Sequence, residues 1–124
     1  MMNEGKENII ETKSYHFALE IVRIYKTLTI DKKEYVLSKQ ILSSGTSVAA
    51  NIHEAIASES KKDFIHKLRI ALIETRGTAY WLNLLKDSDY ICKEEFKKLI
   101  SLTEEILKIL NSINLTTKKR YLPN

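Results

Sequence analysis

The sequence predicts an all-α protein, an antiparallel up-down-up-down four-helix bundle, and three observations carry that prediction. Proline occurs once and glycine three times in 124 residues, so strands and hairpins would lack their turn chemistry. Apolar residues recur at spacings of three and four through four separate segments. Only a few residues join each segment to the next, which makes consecutive helices antiparallel neighbours.

The first helix is expected from Ser14 to about Leu28, where Phe17, Ala18, Ile21, Val22, Ile24, Tyr25 and Leu28 share one face. His16, Glu20, Arg23 and Thr27 take the other. Asp31-Lys-Lys-Glu34 reads as a capping box that opens the second helix, which runs to about Ala57 or Ser58. Its apolar arc holds Leu37, Ile41, Leu42, Val48, Ala49, Ile52, Ala55 and Ile56. Gln40, Ser43, Ser44, Ser47, Asn51, Glu54 and Ser58 fall within about 100° of one another on the far side. A solvated face would carry Lys and Glu; short Ser and Asn are poor mid-helix residues and point to close contact with another helix or a ligand.

Ser60-Lys-Lys-Asp63 caps the third helix, whose core arc is Phe64, Leu68, Ala71, Leu72, Thr75, Ala79 and Leu82, ending near Lys86. A second apolar strip, Ile70, Ile73, Gly77, Tyr80, Trp81 and Leu84, lies well round the same helix. That surplus beyond what a bundle core needs marks a candidate oligomer interface. The fourth helix is expected from about Lys93 to Ile113, with Phe96, Leu99, Ile100, Ile106, Leu107, Leu110 and Ile113 inward. The division is therefore a flexible segment over 1–12, a bundle over 13–115 and a basic tail over 116–124.

Composition narrows the function. At 44% apolar and 29% charged the chain is an ordinary globular domain, and the lone Cys92 cannot form an internal disulfide. No apolar run approaches the roughly 18 to 20 residues of a membrane span, and Met1 to Lys13 lacks the pattern of a signal peptide, so a cytoplasmic protein without membrane contact is expected. His16, His53 and His66 stand on three different helices without Glu-x-x-His pairs, so neither a metal nor another cofactor is expected. Gly-rich phosphate loops, Gly-x-Ser-x-Gly and Cys-x-x-Cys are all absent from the sequence, which argues against an enzyme.

The polar residues Gln40, Ser47, Asn51, Glu54 and Glu74 read instead as a network that fixes the register of neighbouring helices. The net charge of +4 owes most to Lys118, Lys119 and Arg120, without which it falls to +1. Within the bundle, Lys62, Arg69 and Arg76 recur every seven residues and form one stripe about 20 Å long, suited to following a phosphate backbone. These six cations are the candidate contacts to RNA or DNA.

The segment from Gln40 to Ala55, followed by Ser60-Lys-Lys-Asp-Phe64 and Tyr80-Trp-Leu82, resembles a bacterial four-helix bundle family that includes proteins encoded in intervening sequences of 23S ribosomal RNA genes. Ser47, Asn51, Ile52 and Glu54 carry the resemblance, which covers about residues 12 to 113. It implies a small non-enzymatic homopentamer, and a related branch serves diversity-generating retroelements by binding nucleic acid and a reverse transcriptase. Gly77 departs from the pattern, since relatives often carry Glu there. The reading is thus of a non-catalytic oligomer that binds RNA or DNA electrostatically without base specificity, with a protein-interaction scaffold as the alternative.

Overall fold

The computed structural model describes the backbone of residues 4–121 and the side chains of residues 9–113. Helix α1, Glu4–Lys26, buries Ile10, Ser14, Phe17, Ile21 and Ile24, and Leu28 extends the series just past its end. Steps of four and three residues keep one seam turned toward a partner helix. The same rhythm places Ile41, Val48, Ile52 and Ala55 inward from α2, Leu37–Ile56. It places Phe64, Leu68, Ala71, Thr75, Thr78, Leu82 and Leu85 inward from α3, Lys61–Asp87. In α4, Lys93–Tyr121, the series is Leu99, Thr103, Ile106, Leu110 and Ile113. These faces merge into one core, so the chain is a four-helix bundle with no strand among the described residues.

Side-chain pairs establish the antiparallel order. Between α1 and α4, Lys13 meets Glu105 at 2.7 Å and Lys98 meets Glu20 at 3.0 Å, so α4 descends seven residues as α1 climbs seven. Between α2 and α3, Ser44 pairs with Thr78 at 3.0 Å and Glu54 with Lys67 at 2.7 Å. Between α1 and α2, Glu11 meets His53 at 3.2 Å, and Ile21 lies against Gly45. A Cβ built on Gly45 would stand 2.8 Å from Cγ1 of Ile21, so glycine is what lets α1 and α2 approach this closely. The contact of α2 with α3 is the most extensive, and α1 packs less extensively on α4 than on α2.

Three expectations change. The segment 1–12 is not a flexible leader over its described part, because α1 begins at Glu4 and Ile10 is fully buried. Ser14 interrupts the apolar rhythm and hides that earlier turn; its hydroxyl satisfies itself on the Glu11 carbonyl at 3.1 Å. Residues 116–121, expected as a tail, continue α4, since nothing before Pro123 stops a helix. Glu20, expected on the solvated face, is 3% exposed.

The start of α2 also differs. A wide π-helical turn over Thr27–Asp31 ends α1, and Lys33 reverses the chain at φ 57°. That reversal drops the Glu34 carboxylate onto the first amides of α2, where it accepts from Val36, Leu37 and Ser38 at 3.1, 3.0 and 2.8 Å. Glu34 is the cap, and Asp31 is exposed on the preceding turn. The third helix starts as expected: Ser60 is extended and its hydroxyl accepts from the Asp63 amide at 3.1 Å.

Candidate nucleic-acid interface

Helix α3 turns its apolar seam inward, so whatever lies opposite that seam meets solvent. Lys62, His66, Arg69, Ile73, Arg76 and Tyr80 all lie there and all are exposed. They alternate in steps of four and three and fall within about 80° of arc, making one ridge about 27 Å long. Ile73 is 64% exposed and Tyr80 61%. The basic stripe and much of the apolar strip, separate in the sequence reading, therefore share one face. Ile70, Gly77 and Trp81 stand at its edge, half-buried, and Leu84 sits at the end of the ridge.

The cations of this ridge keep their charge available. No described carboxylate forms an ion pair with Lys62, Arg69 or Arg76. Lys67 is different, since it crosses to Glu54 on α2. Its ammonium, by hydrogen bond and by charge, holds the Glu54 carboxyl below the ordinary glutamate range. Near the start of α3, Lys61, Lys62, Ile65, His66 and Arg69 surround a shallow open depression. Tyr80 is steadied by Trp81, whose ring meets it edge to face at 5.1 Å between centroids, while Trp81 itself leans on the core. Lys118, Lys119 and Arg120 have side chains outside the described residues.

The expected polar network is only partly assembled. Asn51 donates to the Ser47 carbonyl at 2.8 Å and to its hydroxyl at 2.9 Å, both within α2. Glu54 reaches α3 only through Lys67, at an exposed position. Gln40 is exposed, Glu74 is half-buried, and neither side chain bonds to another described residue. The hydrogen bond that does lock α2 to α3 joins the buried hydroxyls of Thr78 and Ser44, and Thr78 Oγ1 also lies 2.7 Å from the Glu74 carbonyl oxygen. Ser44 was legible as part of the small polar stripe; Thr78 gave no signal beyond its place in the heptad.

Other chemistry is sparse. Among the described residues no three His, Cys, Asp or Glu side chains converge as metal ligands would. Cys92 is exposed just before α4, at the rim of a cavity of about 300 Å³ that Ile24, Leu28, Tyr90 and Ile91 help to line. Within the described residues no helix is long and apolar enough to cross a membrane.

Comparison with known proteins places this geometry. A crystal structure of a protein with unknown function from the S23 ribosomal protein family of Bacteroides thetaiotaomicron VPI-5482 aligns with a TM-score of 0.87 at 48% identity, covering 89% of this chain and 98% of its own. No curated protein matches. The family model described as 23S rRNA-intervening sequence protein matches residues 6–112, most of the bundle. The chain therefore belongs to the 23S rRNA-intervening sequence protein family.

Proposed function

We propose that this protein is a non-catalytic, self-associating bundle that binds RNA or DNA through the outward face of α3, by phosphate contacts and without base specificity. The observation that carries the reading is the ridge of Lys62, Arg69 and Arg76, exposed and unneutralised by any described carboxylate. Cations at heptad spacing on a straight helix meet a phosphate backbone at regular intervals, and release of its counterions drives binding. The family's description, which ties its members to intervening sequences of 23S rRNA, supports a nucleic-acid setting.

Self-association is supported by Gly77. A glycine inside a helix costs up to about 1 kcal/mol relative to alanine, and no other element among the described residues lies within 4 Å of a Cβ built there. No neighbouring helix among the described residues requires it. Close approach of a second copy at the edge formed by Ile70, Gly77 and Trp81 supplies the missing reason.

The test is anisotropy of labelled RNA and DNA against salt, with mass measured by light scattering on the same sample. Three cations predict a loss of about 20- to 40-fold in affinity per protomer surface between about 50 and 200 mM salt. Arg69→Gln with Arg76→Gln should remove about two-thirds of that slope while leaving helical circular dichroism unchanged. Absence of salt-sensitive binding, or a monomer at micromolar concentration, would overturn the corresponding half of the proposal. The exposed Ile73 and Tyr80 favour a second reading, a scaffold that docks a protein partner, which predicts indifference to both salt and arginine removal.

A further inference from the structure

The α3 ridge is not purely basic, and its apolar members are placed where a phosphate-only contact would waste them. Between Arg69 and Arg76 stands Ile73, and beyond Arg76 stands Tyr80, both with more than half of their surface in water. A double helix offers a protein ridge of this kind its phosphates, its sugars and the base edges in its grooves, but keeps the faces of its bases stacked inside. Against such a surface Ile73 and Tyr80 would gain little. A single strand differs: its bases are free to turn away from the backbone and lie on apolar or aromatic groups while its phosphates meet the cations.

The geometry points to single-stranded nucleic acid as the ligand class, with Arg69 and Arg76 on phosphates and a base stacked on Tyr80. This inference rests on the proposed nucleic-acid role and narrows it. Two further features fit it. The Tyr80 ring is held by the edge-to-face contact with Trp81, which is anchored on the core, so the platform is pre-formed and loses little freedom on binding. The ridge is also continuous: Lys62 and His66 extend it beyond Arg69, beside the depression near the start of α3, so a strand has a basic path on the side away from Tyr80.

The experiment titrates the full chain with fluorescein-labelled oligo(dT) and with a DNA duplex of equal length, reading anisotropy together with the fluorescence of Trp81, the only tryptophan in the sequence. The expected result is tighter binding of oligo(dT), by about 10-fold, with a change in Trp81 emission that the duplex does not produce. Tyr80→Ala should weaken oligo(dT) binding by about 5- to 100-fold, the range for loss of one stacked base, and leave duplex binding unchanged. Tyr80→Phe should retain the preference, because stacking needs the ring and not the hydroxyl. Equal affinities, with Tyr80→Ala behaving as the parent and binding still salt-sensitive, would overturn the single-strand inference and leave the electrostatic role standing. No binding of either probe would overturn both. A fall in the mass of Tyr80→Ala by light scattering would assign the ring to a subunit contact and overturn the inference.

Discussion

Two buried carboxylates contribute to the behaviour of this fold in acid. Burial of Glu34 works to raise its carboxyl, but the amides of Ser38, Leu37 and Val36 and the Ser38 hydroxyl outweigh it and leave it below the ordinary glutamate value. Burial likewise opposes ionisation of Glu20, and Lys98 and Arg23 prevail over it. Arg23 binds Oε1 at 2.6 Å, while Lys98 stands 3.0 Å from the buried Oε2, close enough to pair charges though poorly aligned as a hydrogen bond. A carboxyl depressed on folding contributes stability that is complete above its unfolded value, about 4.3, and is lost as pH falls through the folded value. Urea midpoints should therefore hold steady above about pH 5 and drop as the pH is lowered below that. Glu34→Gln should flatten this acid limb, and Glu34→Ala, which strips the cap from α2, should cost about 0.5 to 2 kcal/mol at neutral pH. An unaltered acid limb in Glu34→Gln would show that the cap does not titrate with folding. The sequence placed the start of the second helix at Asp31–Glu34, ahead of the first residue of α2 at Leu37, and misassigned its capping residue, because the reversal at Lys33 cannot be read from side-chain type.

At the scale of helices, the core is a heptad seam in which small hydroxyls take apolar places. Thr75 donates to the Ala71 carbonyl at 2.7 Å, Thr103 to Leu99 at 2.8 Å and Ser38 to Glu34 at 2.9 Å, each closing its bond within reach of its own turn. Their burial is thereby tolerable, and it explains what is hard to read: Ser14, Ser38, Thr78 and Thr103 look like breaks in an apolar pattern, and Ser14 hides the earlier turns of the buried face of α1. The long apolar residues gave helix number and order without difficulty. Two glycines separate the reasons for a small residue in a helix. Gly45→Ala must displace Ile21, whose Cγ2 would stand 2.9 Å from the new methyl, and should lower stability by about 1 to 2 kcal/mol after the gain in helix propensity is counted. Gly77→Ala meets no other element among the described residues and should raise the stability of the isolated protomer by up to about 1 kcal/mol. Chemical denaturation of both variants at low protein concentration checks the pair, and a destabilised Gly77→Ala protomer would contradict the open space seen there.

For the molecule as a whole, besides Ile30, Tyr35 and Val36 at the turn into α2, apolar surface is left on two helix faces that do not adjoin. One lies on α1, where Ile9, Tyr15 and Leu19 are exposed, and the other on α3 at the Ile70, Gly77 and Trp81 edge. The sequence disclosed the second and hid the first, because an exposed Tyr15 or Leu19 is an apolar type like the core residues Phe17 and Ile21 two positions away. A two-fold contact would bury only one of these patches. A contact between the α1 face of one copy and the α3 edge of the next buries both, and repetition of that step closes a ring when the rotation permits. The two arrangements give opposite results in a mixing experiment. For a head-to-tail assembly, Leu19→Glu and Ile70→Glu should each be folded monomers by circular dichroism and light scattering, since each has lost one of its two surfaces. Mixed together, they retain one intact pair of surfaces and should form a one-to-one dimer that grows no further. For a two-fold contact, the variant altered on the unused face would assemble by itself like the parent, and that single observation would rule out the ring.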